Sequence, residues 1–179
     1  GYTVQDGALR YGGAVGRGTI VTTAETGSDY TIEADVTVQD TTERATFGLV
    51  FRYNNADSNY LFVYTWGTGI RFLKRYTGGL AQNITDAALR LEPNVTYHFK
   101  AVVEGEHFIL YIDNNKVLDV KDDPVRADPI ASGSCGLYAS SQTATFDNVK
   151  IVPRAALPLT IAHIGEKLGA NHGDNGVSH

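Results

Sequence analysis

Residues 95–121 read VTYHFKAVVEGEHFILYIDNNKVLDVK, and this stretch decides the fold class. In Tyr97–Val103 and His107–Asp113 apolar and polar residues alternate, the period of an antiparallel strand with one buried and one wet face. Glu104-Gly105-Glu106 between them is a tight hairpin connection. Asp113-Asn114-Asn115-Lys116 tolerates positive φ, and Val117–Val120 returns as the next strand. The stretch is a three-stranded meander with turn chemistry at both bends.

The same period extends outward. In Tyr30–Val38 the apolar residues fall on even positions. Phe47–Tyr53, Tyr60–Trp66 and Ile70–Tyr76 follow as β-formers, separated by the loop Asn54–Asn59 and the turn Gly67-Thr68-Gly69. Gly136–Ala139 and Thr143–Val152 add two more strands. The best helical candidate, Thr85–Leu91, is short. About a dozen short strands with frequent turn signals predict an all-β chain, a two-sheet antiparallel β-sandwich or jelly roll. Ile32, Ala34, Val36, Phe99, Ala101, Phe108, Leu110 and Ile112 should be buried. Pro153 marks a boundary: residues 1–152 form the sandwich. Residues 153–179 form an extended C-terminal tail, read as a linker, an element docking on a partner, or the start of a further region.

Composition narrows the function classes. The chain has 179 residues, 42% of them hydrophobic and 20% charged, which is globular. A net charge of -5 argues against a nucleic-acid partner. No apolar run has the length of a membrane span. The lone Cys135 forbids an intrachain disulfide and reads as a small buried filler. With 10 Tyr and 19 Gly the composition is that of secreted β-proteins, so an extracellular or cell-surface setting is expected. The chain starts at Gly1 and has no Met, which implies a removed leader or a fragment of something longer.

The order of the segments DGALRYGG, DYTIEADVTV, FGLVFRYNNADSNYLFVY, SCGLYAS and ATFDNVKIV around the meander resembles the concanavalin-like laminin-G superfamily. Within it, the chain looks most like the fructan-binding carbohydrate-module family and the neighbouring keto-disaccharide hydrolase-like domains. The resemblance covers roughly residues 1–152. It implies two antiparallel sheets, one of them concave, glycan binding in the concavity or at its rim, and a structural calcium ion.

Candidate site residues follow. Tyr60, Phe62, Tyr64 and Trp66 share one face of their strand, and Leu61, Val63 and Thr65 share the other. The aliphatic set suits the core, which leaves the aromatics on the concave surface as platforms for sugar rings. Arg52, Arg71 and Arg75 supply planar donors for hydroxyls. The expected glycan-contacting set is Arg52, Tyr60, Tyr64, Trp66 and Arg71. The alternative is that the aromatics fill the core and the arginines are solvated. Asp147, in the segment FDNV, is the expected calcium ligand or, equally, a side chain bonded to a neighbouring backbone.

Catalysis has weaker support. Glu33 and Asp35 share a wet strand face, but Val38 and Gln39 stand where a further carboxylate would complete a glycosidase set. His163, His172 and His179 lack metal-ligand spacing. The leading expectation is a non-catalytic, lectin-like carbohydrate-binding module that targets a parent protein to an extracellular glycan. One alternative is a structural or adhesive subunit, filament-like, whose tail adds Leu159–Ile164 to a neighbour's sheet edge. The other is a glycoside hydrolase or lyase on the same fold.

Overall fold

Every second side chain of Tyr30–Val38 is buried, and those between are half exposed. The alternation seen in the sequence is thus realised as a strand with one face against a core. The computed structural model describes residues 1–12, 17–39, 45–76, 80–122, 128–140 and 143–154. The expectations for the tail beyond Arg154, including strand addition by Leu159–Ile164, lie outside the described residues.

The strands in chain order are β1 (Tyr2–Gln5), β2 (Ala8–Gly12), β3 (Arg17–Val21), β4 (Tyr30–Val38), β5 (Thr46–Asn55), β6 (Ser58–Thr65) and β7 (Gly69–Tyr76). They continue as β8 (Leu80–Ala87), β9 (Thr96–Glu104), β10 (His107–Ile112), β11 (Asn115–Lys121), β12 (Ser134–Ser140) and β13 (Thr143–Pro153). They form a seven-stranded sheet, β1-β2-β13-β4-β9-β10-β11, and a six-stranded sheet, β3-β12-β5-β6-β7-β8. The pairs within each sheet are antiparallel, as in β4 with β9 and β6 with β7. The meander of the opening stretch is β9-β10-β11. Among the described residues no helix is long and apolar enough to cross a membrane.

Where a helical turn was expected, Thr85–Leu91, the chain continues as β8 to Ala87 and leaves the sheet beyond it. Pairing with β7 satisfies backbone groups that an isolated turn of helix leaves open. All eight residues expected in the core, from Ile32 to Ile112, are buried there.

The aromatics of β6 face inward, which corrects the surface placement of Tyr60 and Tyr64. Register explains it: Tyr60, Phe62 and Tyr64 stand opposite Phe51, Leu49 and Phe47 of β5. Together these face the seven-stranded sheet. That sheet contributes the small Ala34 and Ala101, so large rings fill the space between. The ring centroids of Phe62 and Phe99 are 5.3 Å apart, and those of Tyr60 and Phe108 are 4.9 Å apart. Truncating one such ring costs about 3–5 kcal/mol.

Tyr60 carries its hydroxyl into a buried polar network. The hydroxyl donates to the Asp122 carboxylate, which also pairs with Lys74 Nζ at 2.6 Å. It accepts the Ile130 N–H at 2.9 Å. The network thus ties the segments at Asp122 and Ile130 to β6 and β7.

Arg52 is corrected as well. Its parity places it on the outer face of the six-stranded sheet, beside Val50. A bulge after Phe51 shifts the register, and Arg52 takes φ 44° there. The extra residue re-aims the side chain into the interior. Its guanidinium donates to the carbonyls of Ile130 (2.6 Å), Ser28 (3.0 Å) and Gly105. The backbone of Arg52 presses so close to Gly133 that a Cβ there would lie 2.5 Å from the Arg52 carbonyl carbon. Only glycine fits that approach.

Candidate functional site

With the rings of β6 turned inward, its odd residues define the outer face of the six-stranded sheet. Cross-strand register puts Val63 beside Arg71, Leu61 beside Leu73 and Asn59 beside Arg75. Val50 of β5 lies beside Leu61. Val50, Leu61, Val63, Leu73 and Tyr138 form a second apolar cluster, separate from the core, with Tyr53 and Val21 packed against it. An outer sheet face facing only water would carry polar side chains at these positions.

Two arginines rise from this apolar floor. The Arg75 guanidinium lies over the Tyr138 ring, 5.8 Å from its centroid, and reaches the Tyr138 hydroxyl at 3.5 Å. Asn59 donates its amide to the carbonyls of Asn55 and Ala56, at 2.9 and 3.2 Å. That fixes the side chain and leaves Oδ1 as an acceptor. Among the described residues, Asn59 Oδ1, Arg71 Nε and Arg75 Nε are buried without a hydrogen-bond partner. Such groups cost about 1–3 kcal/mol each until something satisfies them. A cavity of about 250 Å³ opens here, lined by Thr19, Tyr53, Ala56, Asn59, Arg75 and Tyr138.

The chemistry of this face is donor-rich and nearly free of acid. Across the six strands of the sheet the only carboxylate is Asp86, exposed and set by register beside Arg71. Those strands contain no histidine. They therefore supply neither a carboxylate pair nor an imidazole for proton transfer. What they supply is an apolar surface bounded by planar hydrogen-bonding groups, which suits a polyhydroxylated ligand with one apolar side.

The five residues expected to form the site do not converge. Arg71 lies on this face. Tyr60 and Tyr64 lie between the sheets, and Arg52 is held at their rim. Trp66 sits in the turn after β6, half-buried, with its ring edge-on to Tyr64 at 5.7 Å. Sequence reasoning missed Asn59, Tyr53 and Tyr138. Asn59 shares its parity with Leu61 and Val63, so it follows once the aliphatic set is placed outside.

The outer face of the seven-stranded sheet holds Glu33 and Asp35. His98 Nδ1 is 2.6 Å from Asp35, and its Nε2 is 3.5 Å from Glu33. Lys150 and Lys100 reach Glu33 at 3.3 and 3.8 Å, and Asn148 donates to Asp35 at 2.7 Å. Partial burial works against the Glu33 charge, but the lysines and His98 outweigh it and hold its carboxyl below the ordinary value. The Asn148 and His98 contacts do the same for Asp35. Glu33 is thus engaged by Lys150, Lys100 and His98, and Asp35 by Asn148 and His98.

Asp147 is exposed on the same sheet. Its Oδ1 accepts the N–H of Asn148, which has φ 49° in the bulge of β13. No cluster of three or more His, Cys, Asp or Glu able to hold a metal occurs among the described residues.

Comparison with known proteins bears on the same residues. The family described as 3-keto-alpha-glucoside-1,2-lyase-like domain matches residues 1–152. The chain belongs to that family. This family member is 31% identical over 131 residues to a levanase of Bacillus subtilis. That match covers 72% of this chain but only 18% of the levanase. Among solved structures it resembles carbohydrate binding module CBM66 from Bacillus subtilis, with a TM-score of 0.74 and 28% identity over 85% of this chain and 91% of that one. A putative glycosyl hydrolase from Parabacteroides distasonis shares the fold at a TM-score of 0.63 and 12% identity, covering 86% of this chain and 83% of that one. The fold is thus a jelly-roll sandwich that occurs in carbohydrate-active proteins.

Proposed function

We propose that this chain is a non-catalytic carbohydrate-binding module, that its ligand is a fructan, and that the ligand sits on the outer face of the six-stranded sheet. The carrying observation is the trio Arg71 Nε, Arg75 Nε and Asn59 Oδ1, buried beside an apolar floor without partners among the described residues. Sugar hydroxyls both donate and accept, so a chain of sugar units lying along β7 can satisfy Arg75 and Asn59 at one end and Arg71 further along. The flanking half-buried Tyr53 offers a ring face to the C–H side of the sugar. The fructan assignment follows the levanase relative, and its 18% coverage fits an accessory module better than a catalytic unit. Such a module works beside its substrate, outside the cell or at its surface.

A lyase or hydrolase reading has the family description and the glycosyl hydrolase neighbours in its favour. Against it stands the single carboxylate, Asp86, on the strands of the face. The deciding experiment is calorimetric titration of the chain with levan fragments, inulin fragments and a xylan fragment as control, with product analysis of each mixture. Saturable heat with fructans and no cleavage supports the module. Cleavage lost in Asp86→Asn would instead establish the enzyme.

A further inference from the structure

The turn at the far end of β6 has a second cavity, of about 510 Å³, lined in part by Tyr64, Trp66, Thr68, Leu89 and Arg90. It is about twice the volume of the one beside Arg75 and has a different construction. Val63, the partner of Arg71, is three residues from Trp66, roughly 10 Å along the strand. The two sites also lie on opposite parities of β6, so Trp66 is not a wall of the Arg71 face.

The cavity is rigidly framed. The Trp66 N–H donates to the Ala45 carbonyl at 2.8 Å, and the Thr68 N–H to the Thr65 carbonyl at 3.0 Å. On the other side the Leu91 N–H donates to the Tyr64 hydroxyl at 3.3 Å, which fixes the segment 88–91 across the sandwich end. Gly69 has φ 106°, and a Cβ there would come 2.7 Å from the Ala87 carbonyl oxygen, so the turn and the end of β8 are locked together.

Trp66 is the only tryptophan in the chain. A buried indole N–H normally finds an acceptor. This one is half exposed, and among the described residues no hydrogen bond engages it. Arg90 is 86% exposed, and among the described residues it pairs with Glu92 through its Nε at 3.3 Å. The cavity therefore combines a held aromatic platform, an apolar wall at Leu89, an indole donor that no described residue engages, guanidinium donors and the Thr68 hydroxyl.

We infer that this cavity is a second sugar subsite, in which a single ring stacks on Trp66 and its hydroxyls engage the indole N–H and Arg90. The class of ligand rests on the glycan reading above; the geometry does not depend on the Arg71 face. Two separate subsites make the module bivalent toward a polysaccharide, which raises avidity without new contacts.

Because Trp66 is the sole tryptophan, its emission reports this cavity alone. The test titrates a levan-derived oligosaccharide into the whole chain while heat and tryptophan emission are followed together. The same titration is run on the Arg71→Ala/Arg75→Ala and Arg90→Ala variants. Expected are a saturable emission change in the wild type that persists in the double arginine variant, and about a tenfold weaker emission-detected affinity in Arg90→Ala. Arg90 is too exposed for its loss to unfold the chain. Saturating heat with unchanged emission would overturn the Trp66 subsite and leave the Arg71 face standing. An emission change abolished in the double arginine variant would overturn the second subsite as a separate one. Neither heat nor emission change with any fructan fragment would sink both proposals.

Discussion

The two sheets present outer faces of opposite character. On the seven-stranded sheet, Glu33, Asp35, His98, Lys100 and Lys150 meet one another at hydrogen-bond or ion-pair distance. On the six-stranded sheet the floor is apolar, and Arg71, Arg75 and Asn59 keep buried groups unmatched. One face is complete by itself in water; the other is incomplete. A surface is better recognised as a binding site by what it leaves unsatisfied than by how many charges it carries.

The comparison breaks first if the two sides of β6 have been exchanged. Phe62→Ala should therefore cost about 3–5 kcal/mol of stability, read by denaturant unfolding. An unchanged midpoint would put the aromatic set outside and reverse the assignment. Next in size, Arg71→Ala and Arg75→Ala should each lower fructan affinity by about 1–3 kcal/mol while the melting temperature stays near that of the wild type. Equal affinity in both variants would remove the six-stranded face as the site. The opposite face gives the matching control. Lys100→Ala and Lys150→Ala remove exposed ion pairs worth about 0–1 kcal/mol and should leave the binding isotherm unmoved. A loss of binding in either one would move the site to the other sheet.

The smallest effect concerns pH. Glu33 and Asp35 have folded pKa values below their ordinary ones, so the folded state holds their protons more weakly than the unfolded state does. Their contribution to stability is complete above the ordinary carboxylate range. It drains away as pH falls through that range and then through the depressed values. Thermal melts between pH 7 and pH 3 should show a shallower acid loss in Asp35→Asn than in the wild type, because one of the two groups no longer titrates. Identical slopes would mean that the network is not formed in solution.

Much of the architecture was legible because period-two patterning encodes burial directly. The residues of β4, β9 and β10 fell inside as their alternation required. The site was harder to read because β6 is apolar on both sides. Leu61 and Val63 compete with Phe62 and Tyr64 for the interior, and parity alone does not rank them. The ranking comes from the sheets themselves, where Phe62 and Tyr60 meet Phe99 and Phe108 across the core beside the small Ala34 and Ala101. Arg52 escaped for another reason. One residue of bulge reverses the side of every residue after it, and the segment RYNNADSN carries no local mark of where that slip occurs. Arg71 was grouped with the rings of Tyr60 and Tyr64, but the regular β6-β7 hairpin pairs it with Val63 and so sets it on the opposite side of the sheet.

Arg52 also bears on how the molecule comes apart. One guanidinium joins Ser28, Gly105 and Ile130, segments that lie far apart along the chain. No one of these three loops can open without breaking a contact held in common with the other two. Their release is therefore coupled to separation of the sheets themselves. The rim at that end should melt in one cooperative step with the core, and the amide of Gly105 should exchange its hydrogen as slowly as the strands that flank it.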